Sequence, residues 1–336
     1  MLKQTTSIPK LESVNVMKRA IVTGASGFVG SRLVGELVSK GVEVIAVVRS
    51  DKSDLTELVK YENVKIVFCS LEKILHLTTI IDSRDFDVFY HFAWSGTSGN
   101  DRSNAQLQIS NIQSTCDAIY VSKELECKKF VNAGSITEYE VMKYLSIDGT
   151  TPAQSSLYSI AKLAADFMAK TLSIKLGIDY INAVISNIYG PGEKSSRFVN
   201  TTIRKFLNHE TVSFTLGTQL YDFIYITDAV KSLYLVGEFG RANHIYYIGN
   251  INPLPLKEFV IRIRDIVDKD IVIEFGSIPF SGTTLSYDEF DNQRLKKEFD
   301  FDCLVSFDEG IKKTLEWIHK IDNKTISSRT KMEQKR

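Results

Sequence analysis

Ser135, Tyr158 and Lys162 are the residues whose types and spacing could do chemistry. Tyr158 and Lys162 stand four apart in the amphipathic stretch "LYSIAKLAADFMAK", so a helix there sets both on one face. A phenol has a pKa of roughly 10 and is a poor base at neutral pH. An ammonium close by favours the phenolate, and so would a cationic cofactor ring. A serine hydroxyl, here Ser135 after "FVNAG", could hold a substrate oxygen while the phenol exchanges its proton. These parts add up to hydride transfer at a carbinol or carbonyl. A Tyr-xxx-Lys pair alone is common on solvated helix faces, so its meaning rests on the elements that must position it.

The first such element is "AIVTGASGFVG", Ala20 to Gly30. Lys18 to Thr23 reads as a buried strand. From Phe28 the pattern turns helical, with Val29, Leu33, Leu37 and Val38 on one face and Gly41 as a stop. Gly24, Gly27 and Gly30 therefore lie where a strand becomes a helix. The first permits a tight turn, the second admits a pyrophosphate to the backbone, and the third lets helix and strand pack closely. The phosphates would meet unpaired N–H groups at the helix start, around Ser26, Phe28 and Val29. The next strand, "VEVIAVV", ends at Val48 and is followed by Arg49, where an acid would read the ribose of NAD. An arginine accommodates the 2′-phosphate of NADP, so NADP(H) is favoured as cofactor, with NAD(H) the alternative.

Four more short apolar runs, "VKIVFCS" (64–70), "FDVFYHFA" (86–93), "KKFVNAGS" (128–135) and "DYINAVIS" (179–186), alternate with helix-length segments. The pattern predicts an α/β fold, a Rossmann-type doubly wound parallel sheet. Ligands of such sheets bind beyond the carboxyl ends of the strands. That directs attention to Ser70 and Leu71, Phe92 and Ala93, and Ser135. Trp94, Thr97, Ser98 and Asn100, in "AWSGTSGNDR", could pack on a sugar ring or bond its hydroxyls.

In this order and at these spacings, "TGASGFVG", "YHFA", "SNIQST", "GSITEY", "YSIAK", "SNIYGPG" and "YDFIYITDAV" resemble an extended short-chain dehydrogenase/reductase. That group holds the nucleotide-sugar epimerases, dehydratases and reductases, and the resemblance spans about Lys18 to Trp317. It implies an enzyme with Ser135, Tyr158 and Lys162 as catalytic trio, Lys162 also holding the cofactor. It implies that Asn111 supports that lysine through a water and that Asn187 contacts a nucleotide-diphosphate sugar. It further implies a smaller C-terminal α/β substrate-binding lobe and a homodimer paired through helices near 104–126 and 156–176.

The departures narrow the reaction. The family's 4,6-dehydratases carry an acidic pair after the catalytic hydroxyl, where this chain has Ile136 and Thr137; neither is a general acid at neutral pH. Glu138, one residue on, reads as a loop or packing residue. Members that epimerise C3 and C5 use a cysteine and a histidine where Thr137 and Gly192 stand. Hydride chemistry at C4 of a hexose remains: NADPH-dependent reduction of a 4-keto-6-deoxy sugar, with an NAD-dependent 4-epimerase as alternative and a non-catalytic dinucleotide scaffold as the outlier. Tyr221 replaces the arginine that grips the diphosphate in most relatives, and Arg197 or Arg204 is a candidate to supply the charge, a surface-helix arginine being the alternative; Thr97, Thr137, Asn187, Arg197 and Tyr221 form the expected substrate set.

Composition bounds the rest. The chain has 336 residues and a formal net charge of zero, which gives no preference for nucleic acid or an anionic membrane. No apolar run is long enough to span a bilayer. The 4 cysteines form no CxxC pair and suit free thiols in a cytoplasm, and the 5 histidines show no metal-ligand spacing. The expected layout is an extension over 1–17, a dinucleotide domain over 18–190 rejoined by a strand near 243–249, a substrate lobe over 191–320 and a polar tail over 321–336.

Overall fold

The computed structural model describes residues 16–146, 152–280 and 284–333. The N-terminal extension expected over 1–17 lies outside them except for its last two residues. In chain order the elements are β1 (Arg19–Thr23), α1 (Phe28–Ser39), β2 (Glu43–Val48), β3 (Val64–Phe68), a single turn α2 (Leu77–Ile80), β4 (Val88–His91), α3 (Ala105–Glu124), β5 (Lys129–Ser135), α4 (Glu138–Ser146), α5 (Ser156–Leu176) and β6 (Asp179–Ile185). They continue as β7 (Asn187–Tyr189), α6 (Phe198–Leu207), β8 (Val212–Phe214), β9 (Leu220–Tyr221), β10 (Phe223–Tyr225), α7 (Ile226–Phe239), β11 (Ile245–Ile248), β12 (Leu254–Pro255), α8 (Leu256–Val267), β13 (Ile273–Phe275), α9 (Arg294–Phe299) and α10 (Phe307–Glu333).

Seven strands form one sheet in the order β11-β6-β5-β4-β1-β2-β3, and every neighbouring pair is parallel. The strand order reverses between β1 and β4, which opens a crevice at the carboxyl ends of those strands. Alternation along each strand explains why the runs are apolar throughout. Val22, Val44, Ala46, Tyr90, Val131 and Ile181 enter one buried cluster, with Leu33 of α1 and Leu233 of α7. Their neighbours Ile21, Ile45, Val47, Phe89, Phe130 and Tyr180 enter the other, with Ile119 of α3. Phe89, Phe130 and Tyr180 are register partners on adjacent strands and stack at 5.3 and 6.1 Å between centroids.

The smaller lobe is built on three two-stranded pairs, β10–β7, β12–β9 and β13–β8, covered by α6, α8 and α10. Its core is aromatic. Phe223 meets Phe259 at 4.8 Å, and Phe259 meets Phe307 at 4.7 Å. That core is continuous with the cluster under the sheet, so the two lobes share packing. The helix α10 runs on through Glu333, into the stretch expected to be a polar tail, and no proline or glycine stands between Ile311 and Glu333 to stop it. Among the described residues no helix is long and apolar enough to cross a membrane.

Candidate active site

The glycine turn is built as its spacing implies. Gly24 leaves β1 with φ +68°, and a Cβ there would lie 2.8 Å from the Phe92 carbonyl carbon and the Ala93 nitrogen. A Cβ on Gly30 would lie 2.2 Å from the Gly24 oxygen, so α1 can approach β1 only with glycine at that place. Gly27 starts α1 with extended backbone and no side chain caps it. The first amides of the helix are thus left for another acceptor. They open on a cleft of about 660 Å³ that runs along the strand ends. Gly24, Ser26, Gly27, Phe28, Val29, Gly30, Arg49, Ser70, Leu71, Phe92, Ala93, Ser135, Tyr158 and Lys162 all line it. A backbone cradle that tolerates no Cβ, beside a helix N-terminus, fits a dinucleotide pyrophosphate.

At the far end of this cleft, Ser135 closes β5 and Tyr158 and Lys162 rise from the first turns of α5. The Ser135 Oγ lies 3.0 Å from Thr137 Oγ1. Burial pushes the Tyr158 phenol up, while Arg102, Arg197 and a hydrogen bond with Ser135 draw it down. Lys162 is buried and its Nζ donates to the Ala133 carbonyl at 2.8 Å. The ammonium also sits 3.7 Å over the Trp94 ring. Burial lowers the lysine's pKa, against the raising effect of Glu138 and Asp166.

Glu138, read from sequence as a loop or packing residue, is a buried part of this site at 2% exposure. Its Oε1 accepts the Ser135 N–H at 2.7 Å and its Oε2 accepts the Asn182 amide at 3.2 Å. Asn182 accepts in turn from Asn132, and Asp166 accepts the Tyr180 hydroxyl at 2.7 Å. Burial, then the charge of Asp166, raises the Glu138 carboxyl. The sequence signal was the single acid of "GSITEY", three residues beyond Ser135 and at the start of a helix.

A second cavity of about 270 Å³ adjoins the first, and Thr97 and Arg197 line both. Asn187 lines only the second and donates its amide to the Asp222 carbonyl at 2.9 Å. Ser98 and Arg102 are also on its wall. Other expected residues stand off these walls. Asn111 is buried on α3, where its amide grips both backbone groups of Ser95, at 3.0 and 2.8 Å, and so holds the loop after β4. Thr137 turns back on Ser135. Tyr221 packs on Phe223 at 5.8 Å, because its strand neighbour Asp222 takes the inward position. Arg204 pairs with Asp322 and Asn100 is exposed, whereas Trp94 does line the first cavity, with the Lys162 ammonium over its ring.

A family model described as NAD dependent epimerase/dehydratase family matches residues 20–249. A UDP-glucuronate 4-epimerase of Thermodesulfobacterium geofontis is 24% identical over 312 residues, which cover 88% of this chain and 95% of that protein. A dTDP-glucose 4,6-dehydratase of Salmonella typhimurium is 25% identical over 340 residues, covering 89% and 92%. Among solved structures, the Bordetella bronchiseptica enzyme WbmF in complex with NADH matches with a TM-score of 0.75 at 21% identity, over 94% of this chain and 96% of that one. The two molecules share a fold.

Proposed function

The chain belongs to the NAD-dependent epimerase/dehydratase family, and from that premise we propose that it reduces the C4 carbonyl of a nucleotide-linked 4-keto-6-deoxy sugar with NADPH. One observation carries the choice of reaction. Ser135, Tyr158 and Lys162 share a cleft whose only lining carboxylate, among the described residues, is Glu193. Glu193 is engaged by the Ser195 N–H at 2.8 Å and by Arg197 at 3.5 Å, and Glu138 is held by the Ser135 N–H and the Asn182 amide. That lining, with no second carboxylate among the described residues, supports reduction over dehydration, which needs an acid to move protons at C5 and C6.

In this reading the bound dinucleotide supplies the hydride. Ser135 orients the carbonyl oxygen, and the Tyr158 hydroxyl gives its proton to that oxygen as it becomes an alcohol. Lys162 holds the cofactor ribose. The backbone around Gly24, Gly27 and Gly30 takes the pyrophosphate, and Thr97, Asn187 and Arg197 take the nucleotide-sugar end. The NADPH preference rests on Arg49, which is exposed at the end of β2 with Lys52 on the same wall and no carboxylate beside them in the lining. Arg49→Ala should erase any preference for NADPH over NADH in titrations of both; equal affinities in the unaltered protein would remove the assignment.

The 4-epimerase reading uses the same trio and is favoured by relatives such as the UDP-glucuronate 4-epimerase. The two differ in whether the cofactor leaves. Denaturing the purified protein and identifying the released nucleotide by mass spectrometry separates them. Near-stoichiometric NAD means that the hydride is returned in place, hence epimerisation. An empty site, or exchangeable NADP(H), supports the reductase.

A further inference from the structure

The Lys162 ammonium, expected to tune Tyr158, is hydrogen-bonded to the Ala133 carbonyl and lies over Trp94. A second cation covers the phenol ring itself. The Arg102 guanidinium carbon lies 4.2 Å from the centroid of the Tyr158 ring, and Trp94 meets the same ring edge-on at 6.0 Å and 78°. We propose that Arg102 is the electrostatic partner of Tyr158, a positioning residue that acts through the phenol ring; the proposal rests on Tyr158 being the proton donor.

The placement is built, not incidental. Arg102 sits in the short helical turn Gly99–Ser103 between β4 and α3. Gln108, buried on α3, donates from Nε2 to the Gly96 and Asp101 carbonyls at 3.1 and 3.0 Å, and its Oε1 accepts the Trp94 indole N–H at 3.0 Å. One amide side chain therefore fixes both the tryptophan and the turn that carries the arginine. Asn104 caps α3 directly after that turn. A cation on the face of an aromatic ring is attracted to its π-electrons, and a phenolate ring is richer in them than a phenol. Arg102 is also the charge that draws the phenol's pKa down most, ahead of Arg197. The other titratable or charged groups in this corner are Glu138 and Glu140 on α4, Arg197 before α6, Lys162 on α5 and Tyr221 on β9. Glu140, whose carboxyl burial pushes up to about 7, faces the Arg102 charge.

Arg102→Met keeps the length and apolar cover of the side chain and removes the charge, whereas Arg102→Lys keeps the charge. With carbon-labelled tyrosine, and with NADP⁺ bound so that its cationic ring lowers the phenol, the Tyr158 resonance can be titrated by NMR and assigned by its loss in Tyr158→Phe. The expected result is a rise of about one pH unit in Arg102→Met, reversed by at least half in Arg102→Lys. The same rise in an Arg102→Met, Glu140→Gln double variant keeps Glu140 from being the group observed. An unchanged titration in Arg102→Met, or a lysine variant that behaves as the methionine one, overturns the proposal. In turnover of a 4-keto nucleotide sugar, the alkaline limb should rise by the same shift, because the protonated phenol is the working form. A moved resonance with an unmoved limb leaves the pairing intact and defeats the reading of Tyr158 as donor.

Discussion

Burying a carboxylate costs several kcal/mol unless it is paired and hydrogen-bonded, and Glu138 is buried within reach of the catalytic groups. Two hydrogen bonds satisfy it, from the Ser135 N–H and from Asn182. The remaining compensation is electrostatic. Lys162, buried just as fully, needs negative charge near it to stay protonated, and Glu138 is the first charge that raises its pKa. Glu138→Gln keeps an acceptor for Ser135 and removes the charge. Lys162 should then lose its proton at lower pH, so that NADPH affinity, followed by fluorescence from neutral to alkaline pH, falls off earlier than in the unaltered protein. Coincident curves would mean that Glu138 is not the countercharge. Glu138→Ala also strands the Ser135 N–H and should lower stability by about 1–3 kcal/mol in denaturant unfolding. Tyr158→Phe, by contrast, should abolish turnover and leave NADPH binding nearly intact, since the ring still packs against Trp94; retained turnover would remove Tyr158 from the chemistry.

At the scale of elements, the β1–α1 unit was fully legible. A turn that requires φ near +70° and a helix that touches strand backbone each demand glycine, and the spacing of Gly24, Gly27 and Gly30 encodes both. Gly30→Ala places a methyl 2.2 Å from a backbone oxygen, and neither partner is a flexible side-chain tip. The helix must shift, at about 1–3 kcal/mol of overpacking, and the amides at its start move with it. Loss of stability together with at least about tenfold weaker NADPH binding is expected; normal affinity would show that α1 does not set the phosphate end of the cleft. The helix that carries Tyr158 and Lys162 was legible for a similar reason, because a spacing of four fixes a shared face whatever the tertiary context. The loop after β4 was not. Its conformation is held by Gln108 and Asn111 of α3, and most of the partners they choose are backbone groups that no residue type announces. Arg102 over Tyr158, Lys162 over Trp94 and Asn111 on Ser95 all follow from that one docking.

At the scale of the whole molecule, α3 and α5 pack against each other and against the sheet, yet each also presents a second apolar stripe outward. On α5, Ile160, Phe167 and Ile174 recur every seven residues, which is nearly two turns, and are 41%, 58% and 59% exposed, with Met168 beside them at 50%. On α3, Ile109 and Tyr120 lie three turns apart at 57% and 44%. Two parallel stripes of this kind, on adjacent helices, suit a second copy of the same pair related by a two-fold axis, giving a four-helix bundle. We propose that homodimer as the working form. Each α5 would then be fixed on both sides, its N-terminal turns holding Tyr158 and Lys162 in the cleft and its outer stripe held by the partner copy. The expected result in equilibrium sedimentation is a dimer at micromolar concentration. Phe167→Asp would bury two unpaired charges at the centre of the bundle and should yield a monomer with a lowered melting temperature. Because the altered side chain faces away from the cleft, that monomer should still bind NADPH. A native chain that sediments as a monomer at micromolar concentration would leave the stripes without this partner.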